Sequence, residues 1–389
     1  MKNVHLYHPL KHHLFYSGGG IVRANKDHNT KLFYGFYDNN KLIRFALNKM
    51  GKTQHHGYSY DEITPYVYSP VLVKILFLLQ SMSQDYRTKF YNLFYAYAKR
   101  LLNRADIIHV INSTENSELI KAAHDSGKII VLEQIVGYDY KYYLSGKVTD
   151  ISQDTEIGIY QKNLMYADFV MCPSQFVIDS IIMHEWGKKI RDKLVLIPYG
   201  VDLDAFPYKK KSYNNKRIKL ITVAGIGLRK GINYLLDAME QLVDENVHLT
   251  VYGVPLGQEG QMMLKRMDKA KNVTYAGTIS HTEISRAYSE NDVFVLPSLV
   301  EGSSLSTYEA LASGLPCIVT KNVGSVVENG VDGIIIKWKS VEEIVNAIKK
   351  FTSHEIDIEY MSKNARQKAE MYTWDNFEMK VAQLYDSIL

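Results

Sequence analysis

Two glutamates, Glu301 and Glu309, are separated by seven residues across the start of a predicted helix. The apolar run 293–296 is typical of a buried strand, and helical spacing follows over residues 304–313. Eight residue steps at about 1.5 Å each span about 12 Å. Glu309 could therefore accept both hydroxyls of a ribose, while Glu301 contacts sugar hydroxyls or stabilises positive charge at an anomeric carbon. The alternative is structural, since Ser306-x-x-Glu309 also matches a capping box.

Short turns that contain Gly or Ser follow three of the predicted strands. Turns of this kind present free backbone N–H groups and a helix dipole to anions, above all to phosphate. The amides of Ser304, Leu305 and Ser306 are expected to face phosphates, and Gly19 lies in the turn after the first predicted strand. The three turns comprise residues 17–20, 225–231 and 301–304.

Arg229 and Lys230 lie in the second of these turns. Its spacing, G-x-G-x-x-x-G, differs from the G-x-G-x-x-G of dinucleotide sites, and the next strand, 247–252, ends without an acidic residue to hold a ribose. The pair therefore indicates recognition of a diphosphate, because an arginine and a lysine together can neutralise a pyrophosphate without a metal. From this segment alone, a basic pair on the protein surface stays open as an alternative.

Apolar runs alternate with helical spacing along the chain, which indicates α/β architecture with parallel sheets covered on both faces. Strands are predicted at residues 4–7, 107–110, 129–132, 169–172, 194–197, 219–224, 247–252, 273–276, 293–296 and 317–320. Helices are predicted at residues 233–243, 260–269, 282–290 and 304–313. The polar, basic segment 209–217 is predicted as the interdomain linker, and a solvated surface loop is compatible with it. Ligands of such sheets bind beyond the carboxyl ends of the strands, so the cleft between two domains is the expected site.

Composition and charge narrow the class of protein. With 389 residues the chain exceeds the roughly 250–300 at which single cores stop growing, so two domains are expected. A hydrophobic fraction of 46% excludes a disordered or fibrous chain, and a net charge of +4 does not indicate a nucleic-acid partner. Cys172 and Cys317 lie in apolar runs and are predicted to be buried thiols in a reducing compartment. The longest apolar run, 71–79, is shorter than the roughly 20 residues of a membrane span, so a cytoplasmic location is expected, with peripheral membrane contact open.

The carboxylate pair stands in the segment EGSSLSTYEALASGLP, and four further motifs keep a fixed order along the chain. They are ADFVMCPSQFVIDS (167–180), IPYGVD (197–202), GLRKG (227–231) and NVGSVVENGVDGIII (322–336). The set resembles the retaining glycosyltransferases of the GT-B fold, family four, over roughly residues 105–389. The resemblance implies two Rossmann-like domains with parallel sheets facing across a cleft, and a C-terminal helix that returns to the first domain. It assigns residues 1–205 with 372–389 to an acceptor-side domain and residues 206–371 to a nucleotide-sugar-binding domain.

The same resemblance implies roles for single residues. Lys230 corresponds to the family's phosphate-binding lysine, with Arg229 beside it, while Glu301 corresponds to the carboxylate at the transferred sugar and Glu309 to the one at the ribose. Glu133 stands where many relatives carry a histidine near the donor sugar and is predicted as a further catalytic residue. The implied reaction is a same-face attack in which the departing phosphate helps to deprotonate the acceptor. The donor is expected to be a UDP- or GDP-sugar, with no metal and no other cofactor required.

Two other sequence features bear on a metal site. Asp202 and Asp204 form a D-x-D sequence, but they follow Gly200 in the segment between the domains and are interpreted as structural. The histidine pairs 12–13 and 55–56 lack the spacing of metal ligands and are interpreted as surface residues.

The acceptor is the least defined part of the prediction. Residues 87–100 mix cations with aromatic rings, and a core helix of the first domain is favoured there over a membrane-interface helix or a sugar-stacking wall. A glycan or lipid-linked acceptor is expected, in the synthesis of cell-surface polysaccharide or glycoconjugate. Two other functions stay open: a nucleotide-sugar epimerase of the same architecture, and a non-catalytic protein that binds a nucleotide sugar or glycan.

Overall fold

A computed structural model describes residues 3–8, 29–34, 99, 102–114, 116–145, 155–211 and 217–388 of the chain. Its first sheet contains β1 (Asn3–His8), β2 (Asn29–Tyr34), β3 (Ile107–Ile111), β4 (Ile129–Glu133), β5 (Phe169–Cys172) and β6 (Leu194–Leu196). The helices among these strands are α1 (Ser117–Asp125), α2 (Tyr140–Ser145), α3 (Glu156–Tyr166), α4 (Gln175–Ile182) and α5 (Glu185–Lys188).

The second sheet contains β7 (Ile218–Val223), β8 (Val247–Tyr252), β9 (Val273–Tyr275), β10 (Val293–Leu296), β11 (Cys317–Thr320) and β12 (Gly333–Ile336). The helices of this half are α6 (Ile232–Gln241), α7 (Gly257–Met267), α8 (His281–Glu290), α9 (Leu305–Ala312), α10 (Val341–Thr352) and α11 (Ile358–Glu370). The helix α12 (Trp374–Ile388) follows them.

All of the described strand pairs are parallel. The strand order is β2-β1-β3-β4-β5-β6 in the first sheet and β12-β11-β10-β7-β8-β9 in the second. In the second sheet β10 lies beside β7, with Val293 opposite Leu220, so the loops that follow these two strands leave the sheet side by side. This neighbourhood is what brings residues 225–231 close to residues 301–304.

Apolar side chains cover both faces of each sheet, as the parallel pattern predicts. One face of the second sheet packs Leu220, Leu249 and Ile318 against α6, α7 and α10, and the other face packs Phe294 and Val319 against α9 and α11. The two predicted buried thiols, of Cys172 and Cys317, are buried and free, as expected.

The C-terminal helix α12 returns to the first sheet, which confirms that part of the prediction. Phe377, Val381 and Tyr385 of α12 pack on Ile107 and Val131, and Met171 and Ile197 join the same cluster. The chain passes between the two halves twice at one place, where the amide of Val201 donates to the carbonyl of Tyr372 (2.9 Å). The predicted domain boundaries, after residues 205 and 371, lie next to this place and stay a prediction.

The predicted strands are all present, and their ends differ from the prediction by no more than one residue. Two further strands of the described residues are not predicted. β2 was not predicted, and β12 begins at Gly333, a residue type that is depleted in strands. Glycine is needed there because a Cβ at Gly333 would overlap the carbonyl oxygen of Cys317 on the neighbouring strand. The four predicted helices are also present, as α6, α7, α8 and α9.

The interdomain linker predicted at residues 209–217 stays a prediction, and the alternative, a solvated surface loop, is wrong at Lys211. This residue is 4% exposed, and its Nζ donates to the carbonyls of Tyr288 (3.2 Å) and Ser289 (3.1 Å) in the last turn of α8. The carbonyls of a last helical turn lack partners within the helix and attract a cation. Burial lowers the pKa of Lys211 to about 8. Residues 212–216 lie outside the described part of the chain.

The D-x-D sequence is structural, as predicted. Asp202 Oδ1 accepts hydrogen bonds from the amides of Asp204 (3.0 Å) and Ala205 (3.1 Å), so the side chain closes a local turn. The histidine pairs 12–13 and 55–56, the aromatic segment up to residue 98 and the turn that contains Gly19 lie outside the described residues.

Candidate active site

Three charged side chains meet where the loops after β7 and β10 lie side by side. Lys230 Nζ lies 2.6 Å from Glu301 Oε1, and Arg229 Nη1 lies 3.0 Å from the same oxygen. Arg229 Nη1 also donates to the carbonyl of Val300 (3.2 Å). The structure therefore brings together three of the predicted site residues, with two cations on one carboxylate oxygen and a net charge of +1.

The backbone of each loop fixes the position of these side chains. Residues Leu228–Lys230 form a 3-10 turn that ends at Gly231, whose φ is +69°. A Cβ at Gly231 would overlap the carbonyl oxygen of Pro297, so this position requires glycine for two independent reasons. The carbonyl of Arg229 in turn accepts from the amide of Leu299 (2.8 Å), which ties the second loop to the first.

Burial gives the charged cluster its chemical character. The Lys230 side chain is 14% exposed and the Glu301 side chain 9%, whereas Arg229 is 40% exposed. Burial lowers the pKa of Lys230, the charge of Glu301 opposes that effect, and the nearby Arg229 adds to it. A second anion that enters here would find one partly exposed guanidinium and one nearly buried ammonium, a favourable pair for phosphate oxygens.

The start of α9 adds backbone donors to the same place. The helix begins at Leu305, and the side chain of Ser304 before it makes no capping hydrogen bond to its first turn. Ser304 Oγ lies 3.0 Å from Ser306 Oγ, so these two hydroxyls bond each other. The amides of Ser304, Leu305 and Ser306 donate no hydrogen bond within the described part of the chain. These amides and the helix dipole provide positive potential for an anion.

Glu309 lies one turn further along α9 and bonds a tyrosine of a neighbouring helix. Its Oε2 accepts from the hydroxyl of Tyr288 (3.0 Å) on α8. Burial raises the pKa of Glu309 to about 7, although the hydrogen bond from Tyr288 lowers it. The capping-box alternative is wrong, because the residue before the helix is Ser304 and the Glu309 side chain bonds Tyr288 instead of the amide of Ser306.

Glu133 is found in a different cluster. Its Oε1 lies 3.1 Å from His109 Nε2, and His109 Nδ1 lies 2.6 Å from the hydroxyl of Tyr385 on α12. All three residues are buried. Side chains alternate along a strand, so Glu133 shares the face of β4 that carries Val131 and packs under α12. Its predicted catalytic role stays a prediction, and so does that of Gly19.

The first domain holds the backbone of the Glu301 loop, a contact that the sequence analysis missed. The amide of Gly137 donates to the carbonyl of Glu301 (3.1 Å), and Ser174 Oγ donates to the carbonyl of Gly302 (2.5 Å). A Cβ at Gly302 would overlap the carbonyl oxygen of Ile135, so glycine allows the two domains to touch here. The hydroxyl of Ser174 also caps α4. A helix cap is the role that a serine between a strand and a helix indicates, so the sequence does not predict the contact with Gly302.

The described residues hold neither a cluster of metal-ligating side chains nor a membrane-spanning helix. They contain no group of three or more His, Cys, Asp or Glu side chains placed to bind a metal ion. Across the same residues, each helix is too short or too polar to cross a bilayer.

Comparison with known sequences identifies relatives that match part of the chain. Residues 206–368 match the sequence profile of the family described as Glycosyl transferases group 1. The Escherichia coli UDP-Gal:alpha-D-GlcNAc-diphosphoundecaprenol alpha-1,3-galactosyltransferase is 32% identical over 194 residues, which cover 45% of this chain and 49% of that protein. The Arabidopsis thaliana sulfoquinovosyl transferase SQD2 is 27% identical over 224 residues, which cover 54% of this chain and 42% of that protein. The chain thus spans about half the length of these curated relatives.

Comparison with solved structures covers the whole chain. Anabaena Alr3699/HepE in complex with UDP superposes with a TM-score of 0.66 at 15% identity over 100% of both chains. The lipopolysaccharide outer core galactosyltransferase WaaB superposes with a TM-score of 0.67 at 15% identity, again over 100% of both chains. These likenesses confirm the predicted GT-B fold.

Proposed function

We propose that this chain is a retaining glycosyltransferase that moves a hexose from a nucleoside diphosphate sugar to a glycan or lipid-linked acceptor. The observation that carries the proposal is the cluster of Arg229, Lys230 and Glu301 beside the uncapped start of α9. Two cations paired with Glu301, and the backbone amides that follow Glu301 in the chain, suit a diphosphate, and a carboxylate within the same cluster suits the sugar attached to it. The match of residues 206–368 to group 1 glycosyltransferases supports the same activity.

The proposed reaction places each charge opposite a group of this chain. As the bond from the anomeric carbon to the diphosphate breaks, negative charge grows on the leaving oxygen, where Lys230, Arg229 and the amides of residues 304–306 stabilise it. Positive charge grows on the sugar ring, near Glu301. The acceptor oxygen bonds to the anomeric carbon from the same face, and its proton passes to the departing diphosphate oxygen. These residues supply the opposing positive charge themselves, so the scheme requires no metal.

The donor is proposed to be a UDP- or GDP-sugar. Glu309 is proposed to accept hydrogen bonds from the two ribose hydroxyls, and the fact that its Oε1 forms no hydrogen bond within the described part of the chain supports this assignment. The names of a curated relative and of a structural neighbour, which specify UDP-Gal and UDP, favour the uridine nucleotide. The diphosphoundecaprenol in the relative's name favours a lipid-linked acceptor, which would bring a cytoplasmic enzyme to the inner face of the membrane.

A screen of UDP-, GDP- and ADP-sugars tests the proposal and its alternatives. Release of nucleoside diphosphate, increased by a glycan or lipid-linked acceptor, is the expected result, and NMR of the product would show the donor's anomeric configuration retained. Conversion of the donor to an epimeric nucleotide sugar without an acceptor would establish the epimerase instead. Binding without turnover, with acceptors present, would establish a non-catalytic protein. Inversion of the anomeric configuration would overturn the retaining mechanism alone.

Replacement of Glu309 by alanine is expected to weaken nucleotide binding while the fold stays intact. Hydrogen bonds to a charged group contribute about 1.5–3 kcal/mol each, so the loss of both ribose contacts should raise Kd by more than about 100-fold. The fold should tolerate the change, because the Tyr288 hydroxyl lies 3.3 Å from the carbonyl of Ser306 and can donate there. Calorimetric titration with UDP and GDP measures the loss.

Glu342→Ala is the control for this experiment, since Glu342 is an exposed glutamate in the first turn of α10. Its Kd should equal that of the unmodified chain. If Glu309→Ala keeps its nucleotide affinity but loses thermal stability, the carboxylate has a structural role and the ribose assignment is wrong.

A further inference from the structure

Tyr288 is a buried tyrosine whose hydroxyl enters the candidate donor site from a neighbouring helix. Its ring packs between Phe206 and Phe294, with centroid distances of 6.0 and 6.2 Å. The hydroxyl oxygen lies 3.0 Å from Glu309 Oε2 and 3.3 Å from the carbonyl oxygen of Ser306. One hydroxyl on a rigid aromatic side chain therefore reaches both the ribose carboxylate and the first turn of α9.

The hydrogen atoms of the Tyr288 hydroxyl and the Glu309 carboxyl can be arranged in two ways in this geometry. A tyrosine hydroxyl carries one hydrogen and can accept others. When Glu309 is ionised, that hydrogen goes to Oε2, and the carboxylate keeps its remaining lone pairs for ligand hydroxyls. When Glu309 is protonated, its own hydrogen can go to the Tyr288 oxygen, and the tyrosine can then donate to the carbonyl of Ser306. Only the first arrangement leaves a carboxylate that can accept two hydroxyls.

The other titratable groups around this pair are engaged elsewhere. Lys211 donates to the carbonyls of Tyr288 and Ser289, and Arg366 on α11 donates to the carbonyls of Phe206 and Ala312. Burial raises the pKa of the Cys317 thiol on β11, so this group stays neutral. Burial and the charge of Glu309 together raise the pKa of Tyr288, so the hydroxyl keeps its hydrogen. Lys230 and Arg229 are paired with Glu301.

We propose that Tyr288 is a positioning residue for donor binding, whose hydroxyl keeps Glu309 ionised and oriented toward the ribose of a nucleoside diphosphate. The inference rests on the proposed function, because it takes Glu309 as the ribose ligand. The buried surroundings of Glu309 favour a protonated carboxyl, and within the described part of the chain the hydroxyl of Tyr288 is the hydrogen-bond donor that opposes this tendency. The sequence distance between the two residues hides the contact, since they lie on different helices.

The pH dependence of nucleotide binding follows from this arrangement. Binding requires the ionised carboxylate, and burial raises the pKa of Glu309 to about 7. Affinity should therefore rise as the pH increases through about 7 and level off above that value. Without the Tyr288 hydrogen bond the pKa of Glu309 rises further, so the same increase in affinity should occur at higher pH.

The test is a titration of UDP and GDP into the full chain and its Tyr288→Phe variant between about pH 6 and pH 9. Loss of one hydrogen bond to a charged carboxylate shifts its pKa by about one unit, so Kd should rise about tenfold at pH 6 and less than about twofold at pH 9. Tyr308→Phe is the matched control, because Tyr308 is equally buried on α9 and its hydroxyl lies 3.0 Å from Ser303 Oγ, with no carboxylate partner among the described residues. The control should keep the pH profile of the unmodified chain.

The outcomes separate this inference from the proposed function. If the unmodified chain binds neither nucleotide, the proposed function fails first. If it binds, and Tyr288→Phe shows an unchanged midpoint or a weakening that is equal at every pH, Tyr288 has only a packing role and the inference is overturned. Glu309→Gln should bind weakly, and over this range its affinity should depend on pH only through the second ionisation of the nucleotide's terminal phosphate. A pH dependence in Glu309→Gln as large as that of the unmodified chain would assign the titration to another group and would also overturn the inference.

Discussion

Replacement of Lys230 by methionine is expected to lower kcat for sugar transfer by about 100- to 1,000-fold, the loss typical of one donor at a developing negative charge. Lys230 Nζ lies in the cluster with Glu301 and Arg229, where burial strengthens its interaction with a phosphate oxygen. Methionine keeps the unbranched, apolar part of the side chain and removes the ammonium. The effect should appear in kcat more than in KM, since the leaving diphosphate gains negative charge as the bond breaks.

The chain offers a matched control for this variant. The Lys368 side chain is 15% exposed, close to the 14% of Lys230, and it pairs at 2.9 Å with Glu328, which is 61% exposed. Lys368→Met removes an ammonium outside the cluster and should keep its turnover of donor. Initial rates with the donor identified in the screen, and unfolding temperatures of both variants, distinguish a loss of turnover from a loss of stability. A Lys230→Met enzyme that retains more than about a tenth of kcat would show that the diphosphate is stabilised elsewhere.

The sequence predicts the strands well because a strand buried on both faces of a parallel sheet consists almost entirely of apolar residues. Runs such as those of β10 and β11 are apolar except for Thr320 at the end of β11, and each strand is buried along its length. The apolar pattern of β12 is weaker because one of its four residues is Gly333, which close packing against β11 requires. The parallel order also predicts that loops after neighbouring strands meet, and this brings Lys230 to Glu301.

The parts of the site that the sequence does not predict depend on contacts between distant segments. Tyr288 and Glu309 lie on different helices, and no spacing rule relates a residue of one helix to a residue of the next. Glu133 ends a strand, as expected of a cleft residue, but the alternation along β4 turns its side chain toward His109. Ser174 has the signature of a helix cap, and the same hydroxyl donates to Gly302 in the other domain. These roles come from tertiary packing, which brings together segments that are distant in the sequence.

The Glu301→Gln variant is expected to change nucleotide affinity and turnover in opposite directions, although these two properties usually change together. In the described structure Glu301 Oε1 is shared by Lys230 and Arg229, so an entering diphosphate must compete with this carboxylate for both cations. Glutamine has almost the same shape but no charge. Nucleoside diphosphate alone should therefore bind equally well or several-fold more tightly than it binds to the unmodified chain, about 1 kcal/mol in its favour.

Turnover of the complete donor should change in the opposite direction. The sugar ring gains positive charge as its bond to the diphosphate breaks, and the neutral glutamine stabilises that charge less than a carboxylate does. We expect kcat to fall by about 100-fold, a loss that transition-state stabilisation by one buried charge can account for. Calorimetry with UDP or GDP measures the first property, and initial rates with the matching sugar donor measure the second.

Glu328→Gln provides the comparison, because Glu328 pairs with Lys368 at 2.9 Å in the same domain but outside the cluster. It should change neither nucleotide affinity nor turnover. Removal of one partner from a buried ion pair is destabilising, so Glu301→Gln should unfold at a lower temperature than Glu328→Gln. Added nucleotide should raise the unfolding temperature of Glu301→Gln more than that of Glu328→Gln, because its phosphates then neutralise the unpaired cations. If Glu301→Gln instead weakened nucleotide binding and transfer by the same factor, Glu301 would act only by holding Lys230 and Arg229 in place, and its assignment to the transferred sugar would be wrong.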